Sequence, residues 1–139
     1  EQRLRYMTRL ARQRSLMTAG DAQKVEFFIS RLPEWIPQQP ASLIHGDLWS
    51  GNISSDATGA PAIIDPAAHF GWAEAELAMM TLFGSFPEEF IQSYQEIRPL
   101  EAGFRGRFSI YNLYHLLNHL NLFGRSYLGQ VQAILRRYG

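Results

Sequence analysis

The fold of this chain is indicated by two short stretches, HGDLWSGN at residues 45–52 and IIDP at residues 63–66. The first stretch places Asp47 and, five residues later, Asn52 on one polar loop. The second ends an apolar run at Asp65. Taken singly, these residue types are common in turns and at strand ends. Their order and spacing favour a shared chemical role over three unrelated turns.

Phosphoryl transfer from ATP requires few protein groups. One carboxylate orients the acceptor hydroxyl and takes its proton, and oxygen ligands hold the Mg²⁺ that neutralises the phosphates. Asp47 is the candidate base, Asn52 a neutral metal ligand and Asp65 an anionic one. The pattern H-x-D-x-x-x-x-N, followed by a strand and Asp, matches the catalytic-loop and metal-binding signature of kinases. The sequence therefore predicts a kinase that uses ATP and Mg²⁺.

Short strands are predicted on both sides of this loop. Residues 42–44 form a strand candidate that leads directly into the loop, and residues 52–65 have the pattern of a β-hairpin. Turn-forming residues at 56–59 separate Ile53 from a return arm at 62–64. Because a hairpin brings its two ends together, Asn52 and Asp65 are expected to converge, as one shared ion requires.

The rest of the chain is predicted to be helical, so the fold class is α+β, mainly α, with one small β-hairpin beside the catalytic loop. Apolar spacing, N-caps, glycines and prolines set the expected bounds. The predicted helices are residues 1–15, a helix with its N-cap at Gly20-Asp21 that ends at Pro33, residues 73–83 closed by Gly84, a helix that begins with a capping box at Ser85, residues 107–123 and residues 128–138.

The composition narrows the class of protein. The 139 residues include 46% hydrophobic and 19% charged residues, which is typical of one globular domain. Thirteen basic and thirteen acidic residues cancel, so nothing favours nucleic acid as a partner. No apolar run approaches the roughly 20 residues that span a bilayer, so no membrane partner is expected. With no cysteine, disulfides and thiolate metal sites are excluded, which fits a cytoplasmic location.

Three segments resemble the fructosamine kinase family, a branch of the aminoglycoside and choline phosphotransferases. They are HGDLWSGN, IIDPAAHFGWAEAELAMM at 63–80 and LYHLLNHLNLFG at 113–124, and the resemblance covers about residues 42–138. The resemblance is narrowed from the wider superfamily to this family by Trp49, Gly51 and the pair Asp65-Pro66. The resemblance implies that residues 1–139 are the C-terminal, catalytic lobe of a protein-kinase-like fold, without the N-terminal ATP-binding lobe.

By this resemblance, the expected activity is ATP-dependent phosphorylation of a sugar hydroxyl of a ketosamine. The acceptor would be a fructosamine or ribulosamine on a small amine or a protein lysine. Asp47 would be the catalytic base, and Asn52 and Asp65 the magnesium ligands. Pro66, with its fixed φ, stands where protein kinases have the Phe of Asp-Phe-Gly, which argues against a flipping switch.

Side chains around these three residues have two interpretations each. Trp49 is either an aromatic wall against the substrate or a core anchor of the loop. Glu76 is expected to support the loop, as an acidic residue near this point does in related kinases. Glu74 either does the same or only begins a helix, where negative charge suits the dipole. His45 is expected to brace the loop, since Asp47 is the better-placed base.

The other histidines are ambiguous. His115 and His119 stand four residues apart on one predicted helix, a spacing that zinc ligands use. Leu116, however, occupies the place of the glutamate that a zincin requires. Buried, hydrogen-bonded histidines or a contribution to the acceptor pocket are favoured, and His119 is the candidate for substrate binding. His69 receives no role.

Two other functions remain open from the sequence. The same mechanism would serve an aminoglycoside, choline or another small alcohol. Alternatively, the chain is an inactive folding or interaction module. Without the N-terminal lobe, the apolar surface on which that lobe rests would be exposed, which predicts a homodimer through that surface.

Overall fold

A computed structural model describes residues 1–84 and 87–139, and its fold is mainly helical with two small sheets. The described chain forms two compact units, residues 1–37 with 112–139, and residues 38–111. The helices are α1 (Gln2–Gln13), α2 (Ala19–Trp35), α3 (Ala73–Met80), α4 (Glu88–Ile97), α5 (Phe104–Phe123) and α6 (Leu128–Tyr138). The strands are β1 (Ser42–Ile44), β2 (Ile53–Ser55), β3 (Pro61–Ile63) and β4 (His69–Gly71), with short 3₁₀ turns at Ser50–Asn52 and Arg125–Tyr127.

The first unit is a helical cluster in which α1 packs on α2 and α2 packs on α6. Its core consists of apolar side chains that are almost fully buried, because each helix turns one apolar stripe inward. The larger members are Val25, Phe28, Ile29, Leu113, Leu117, Leu120, Val131 and Leu135.

Helix α2 begins earlier than the sequence suggested. The predicted N-cap at Gly20-Asp21 is wrong, because Thr18 is the N-cap and Asp21 is the third helical residue. The Thr18 hydroxyl accepts from the Asp21 N–H at 3.1 Å, and the Asp21 carboxylate accepts from the Thr18 N–H at 2.9 Å. This reciprocal capping box uses Asp in the place where Glu or Gln is usual.

Helix α2 also continues past Pro33, so the predicted end at that residue is wrong. Proline removes one backbone donor, but the Ile36 N–H still bonds to the Leu32 carbonyl across it at 3.0 Å. The last turn is held by packing, since the Trp35 ring lies 5.2 Å from Phe28 and 4.8 Å from Tyr138. Tertiary contacts thus outweigh the local helix-breaking preference of proline.

The second unit contains two antiparallel ribbons instead of the single predicted hairpin. The predicted hairpin is confirmed as β2 paired with β3. The strand predicted at residues 42–44 is also confirmed, but its partner, β4, was not predicted. In this second ribbon Leu43 lies opposite Phe70, and both side chains are largely exposed. Strand β4 has only three residues, too few to show an alternating pattern.

The helices of the second unit form a separate core beside β1. Helix α3 ends at Met80, four residues before the predicted stop at Gly84, and α5 begins three residues before the predicted Arg107. Leu77, Ala78, Met80, Ile91 and Phe108 pack together and are buried. The predicted capping box at Ser85 lies outside the described residues.

The helices predicted at residues 1–15 and 128–138 correspond to α1 and α6. In the parts of the chain that the structure describes, every helix is too short or too polar to cross a bilayer.

Candidate functional site

The polar loop between β1 and β2 is closed by Asn52. Its side-chain amide donates to the Asp47 backbone carbonyl at 2.9 Å and to Asp47 Oδ2 at 3.1 Å. Its backbone N–H donates to the Trp49 carbonyl at 2.9 Å, which forms the 3₁₀ turn. Asn52 is buried, whereas Asp47 is half-buried. The loop therefore places Asp47 and Asn52 in direct contact.

The hairpin brings the chain back beside Asn52. Ile53 lies opposite Ile63 in the register of β2 and β3. One step further, the Ile64 N–H donates to the Asn52 carbonyl at 3.0 Å. Asp65 is the next residue, exposed and with a left-handed φ of 53°. The expected convergence of the two hairpin ends is confirmed in the backbone.

The donor atoms at this point suit Mg²⁺. Carbonyl and carboxylate oxygens only accept, so the Asn52 nitrogen must face Asp47, and its Oδ1 lies on the other side of the amide. Oδ1 and the Asp65 carboxylate are hard oxygen donors. Among the described residues no group of three or more His, Cys, Asp or Glu side chains forms a cage for a metal. Magnesium bound through few protein oxygens, with water and phosphates completing its shell, fits that set.

Glu76 binds the backbone of the loop from α3. Its Oε2 accepts from the His45 N–H at 2.8 Å, and its Oε1 accepts from the Gly46 N–H at 2.7 Å. Hydrogen bonds to an ionised carboxylate are stronger than neutral ones. One side chain thus fixes both residues that precede Asp47.

His45 connects the loop with the return arm of the hairpin. Its Nε2 lies 3.0 Å from the Ile64 carbonyl. Because a carbonyl can only accept, Nε2 carries the hydrogen of this bond. The ring is buried, and its Nδ1 has no hydrogen-bond partner among the described residues. His45 therefore holds the backbone immediately before Asp65, a contact consistent with its expected bracing role.

Gly46 is required by a close approach of the chain that follows Asp65. Its φ is +82°, and a Cβ there would lie 2.3 Å from the Ala67 carbonyl oxygen. His69, which received no predicted role, begins β4, and its Nδ1 donates to the same carbonyl at 2.9 Å. The segment after Asp65 thus lies against the loop, and no local pattern in the sequence signals this contact.

Trp49 packs on the loop without being buried. A Cβ on Gly51 would lie 2.3 Å from the indole ring, so the ring covers that glycine. The indole also meets Phe83 edge-on at 6.4 Å, and Trp49 remains 37% exposed. Trp49 is therefore not a fully buried anchor of the loop. The exposed part of the ring is free to contact a substrate, which keeps the aromatic-wall interpretation as a prediction.

Glu74 is fully buried and belongs to an ion pair that the sequence did not predict. The Arg107 guanidinium donates to both of its oxygens, at 2.8 and 2.6 Å, and the Tyr111 hydroxyl donates to Oε2 at 3.0 Å. The bonds to Glu74 raise the pKa of Arg107, and burial beside the carboxylate raises the pKa of Tyr111. One interpretation of the sequence was that Glu74 only begins a helix, but that role does not account for its bonds to Arg107 and Tyr111.

His119 and His115 belong to the first unit, whereas the residues described above belong to the second. His119 Nδ1 donates to the His115 carbonyl at 2.7 Å, so that nitrogen offers no lone pair to a metal. Its ring packs 5.3 Å from Phe123 and 5.2 Å from Tyr127. These contacts favour the hydrogen-bonded, packed interpretation over a zinc pair, and the substrate role of His119 stays a prediction.

Known proteins resemble the chain over 69–99% of its length. A ketoamine kinase assigned in Synechocystis is 45% identical over 139 residues, which are 99% of this chain and 46% of that protein. A rice chloroplast protein-ribulosamine 3-kinase is 51% identical over 96 residues, 69% of this chain and 28% of that protein. A solved structure assigned as a fructosamine-3-kinase of Thermobifida fusca is 38% identical, with a TM-score of 0.84 over 94% of this chain.

The Synechocystis and Thermobifida proteins match nearly all of this chain, but the chain spans only about half of the length of each of them. The sequence model of one family, described as fructosamine kinase, matches residues 1–138, which include the loop, the hairpin and both glutamates of α3. On this match, the chain belongs to the fructosamine kinase family.

Proposed function

We propose that the protein is an ATP-dependent kinase that phosphorylates a sugar hydroxyl of a ketosamine, such as a fructosamine or ribulosamine. The observation that carries the proposal is the hydrogen-bonded pair of Asp47 and Asn52 beside the end of the hairpin that leads to Asp65. Membership of the fructosamine kinase family and the names of the relatives support the substrate class.

Asp47 is proposed as the base. Its Oδ2 accepts from Asn52, and its second oxygen, Oδ1, has no such bond to Asn52. That oxygen can orient the acceptor hydroxyl and take its proton as the bond from the acceptor oxygen to the γ-phosphorus of ATP forms. The bond from that phosphorus to the β,γ-bridging oxygen breaks at the same time, and ADP is the leaving group. Because Glu76 holds the neighbouring backbone, the Asp47 carboxylate stays in place while the substrate reacts. Catalysis of this kind depends mainly on positioning and electrostatics.

Asn52 Oδ1 and the Asp65 carboxylate are proposed to hold Mg²⁺, which would neutralise the β- and γ-phosphates of ATP. Both residues lie at the open end of one hairpin, where the Ile64 N–H bonds to the Asn52 carbonyl. The left-handed φ of Asp65 is a conformation that Asp adopts more readily than most residues. The local backbone therefore turns abruptly at the residue proposed as the anionic ligand.

We assign residues 1–139 to the C-terminal, catalytic lobe of a protein-kinase-like fold, with the adenine-binding parts on an N-terminal lobe. The order of the loop, the hairpin and Asp65 along the chain supports this proposal. The cytoplasmic location and the homodimer both stay predictions. Sedimentation of the chain at several concentrations tests the homodimer.

The test uses the full-length protein with Mg-ATP and a synthetic fructosamine or ribulosamine. We expect Asp47→Ala and Asp47→Asn to lower kcat by at least about 100-fold, since a general base contributes roughly 10²–10⁴-fold. Asp47→Asn keeps an oxygen that accepts from Asn52, so the loop stays closed. Folded variants with near-wild-type turnover would overturn the assignment of the base.

Asp56→Asn is the matched control. Asp56 lies in the turn of the same hairpin, is exposed and accepts from the Thr58 and Ala60 N–H groups through Oδ1. Asparagine keeps that oxygen, so this variant removes one nearby negative charge without opening the turn. We expect its kcat to equal that of the wild type. A panel with an aminoglycoside, choline and a ketosamine then identifies the acceptor class.

A further inference from the structure

The ion pair between Glu74 and Arg107 is surrounded by further hydrogen bonds. Beyond its two bonds to Glu74, the Arg107 guanidinium donates to the Ala102 and Glu101 carbonyls at 2.8 and 3.0 Å. Every donor and acceptor contact is short, and Glu74 has no exposed surface. A buried ion pair is weak evidence for stability, because apolar side chains often serve as well.

Helix α3 binds two different neighbours through opposite faces. Residues in an α-helix follow each other at about 100°, so Glu74 and Glu76 project about 200° apart. Glu74 faces Arg107 of α5, whereas Glu76 faces the His45 and Gly46 N–H groups. The helix has only 8 residues, so a shift at one glutamate displaces the other.

The same network reaches the entry to β1. Tyr111, one helical turn after Arg107, donates to Glu74 and accepts from the Gln39 side chain at 3.1 Å. Gln39 lies three residues before β1, which leads into the catalytic loop. Through the buried carboxylate of Glu74, the network thus restrains both α3 and the segment that leads into the loop.

We infer that Arg107 is a positioning residue: its ion pair with Glu74 sets the placement of α3, so that both oxygens of Glu76 reach the catalytic loop. The consequence for catalysis rests on the proposed function, because the loop carries the proposed base Asp47. Arg107 itself has no contact with the loop among the described hydrogen bonds. Its effect on turnover is transmitted through Glu74 and Glu76.

The test removes both charges together, as Glu74→Gln/Arg107→Met in the full-length protein, so that no unpaired buried charge remains. Amide hydrogen exchange of ¹⁵N-labelled protein reports the His45 and Gly46 N–H groups directly. We expect both amides to exchange at least about tenfold faster than in the wild type. We also expect kcat to fall at least about tenfold, with the KM for ATP within about twofold.

The matched control is Glu88→Gln/Arg105→Met. Arg105 also lies on α5 and forms an ion pair with Glu88, but both side chains are about half exposed. Exposed pairs contribute little, and this pair lies off the route from Arg107 to the loop. We expect exchange at His45 and Gly46, and kcat, to remain as in the wild type.

A double-mutant cycle separates positioning from general stabilisation. Glu76→Gln is added to the wild type and to Glu74→Gln/Arg107→Met. If the pair acts through Glu76, adding Glu76→Gln to Glu74→Gln/Arg107→Met lowers kcat by less than about a further twofold, because the bonds of Glu76 are already broken. Independent, multiplicative losses would overturn the inference.

The positioning role of Arg107 and the proposed kinase function can be refuted independently. Unchanged exchange at His45 and Gly46 in an active enzyme overturns the positioning role and leaves the kinase assignment intact. Faster exchange in the double variant, together with a wild-type protein that shows no kinase activity, supports the positioning role and contradicts the proposed function. If the double variant does not fold, Arg107→Lys serves instead, since lysine keeps the charge but lacks the planar fork that contacts both oxygens. Wild-type exchange in Arg107→Lys would also overturn the inference.

Discussion

The bonds from Glu76 to the loop backbone allow a quantitative prediction for Glu76→Gln. Glutamine has the same length but only one side-chain oxygen. It can keep one of the two bonds, at 2.8 and 2.7 Å in the wild type, but it turns an NH₂ group toward the other N–H. The substitution therefore weakens one bond and replaces the other by a contact between two donors.

The magnitude follows from the type of bond. Each hydrogen bond to a charged group contributes about 1.5–3 kcal/mol, and a neutral bond about 0.5–1.5 kcal/mol. Two charged bonds, about 3–6 kcal/mol together, are replaced by one neutral bond, so the loss is roughly 1.5–5.5 kcal/mol. Since Glu76 is half-buried and water can reach the loop after it moves, we expect about 2 kcal/mol, near the lower end of that range.

Equilibrium unfolding in urea, followed by tryptophan fluorescence, measures this loss. Trp49 and Trp72 both lie in the second unit and report on it. Glu96→Gln is the control, since Glu96 is an exposed glutamate of α4, and surface substitutions usually change stability by less than about 0.5 kcal/mol. Glu76→Asp, which keeps the charge but is one methylene shorter, is expected to lie between them. Equal stability of Glu76→Gln and Glu96→Gln would refute the reasoning.

Three further predictions concern strain, charge and pH. Gly46→Ala is expected to cost about 1–3 kcal/mol more than Gly59→Ala in urea unfolding, because both glycines have a similar positive φ but only at Gly46 would the added Cβ lie 2.3 Å from a carbonyl oxygen. Equal costs would contradict that contact. Asp65→Asn and Asp65→Ala are both expected to lose at least about 100-fold in kcat, since each removes the anionic ligand. Only the alanine variant is expected to lose about 1–2 kcal/mol in unfolding experiments, because Asn tolerates the left-handed φ of 53°. Burial opposes ionisation of Asp21, but bonds from Thr18 and a side-chain bond from Gln132 hold its folded pKa below the usual range. Its contribution is therefore complete above the unfolded pKa of about 3.9 and is lost as the pH falls through the folded pKa. The stability difference between the wild type and Asp21→Asn should disappear in urea titrations at low pH, and a constant difference from pH 7 to pH 2 would contradict this.

Local patterns predicted those parts of the site that are close in sequence. Asp47 and Asn52 are five residues apart, so a single turn brings them together, and turn chemistry at 56–59 specifies the hairpin that follows. Helices with a clear apolar stripe were also predicted, as α6 shows. In each case the controlling contacts lie within about ten residues.

Contacts between distant segments were not predictable in the same way. Arg107 follows Glu74 by 33 residues, and no periodicity in a single sequence identifies that pairing. The same applies to β4, whose three residues pair with β1 across an intervening hairpin. Pro33 is the opposite case, because the local signal was strong but aromatic packing around Trp35 outweighed it.

Three sets of contacts restrain the loop at residues 45–52, which is proposed to be catalytic. Glu76 supplies charge-assisted bonds, the His45 ring bonds to the Ile64 carbonyl, and Gly46 packs directly against the Ala67 carbonyl. A flip of the segment around Asp65, as in regulated protein kinases, would break the second and third restraints together. Pro66 further restricts the backbone at this point. A loop held in this way is organised before any substrate binds, which suits the proposed phosphoryl transfer, where positioning supplies most of the rate.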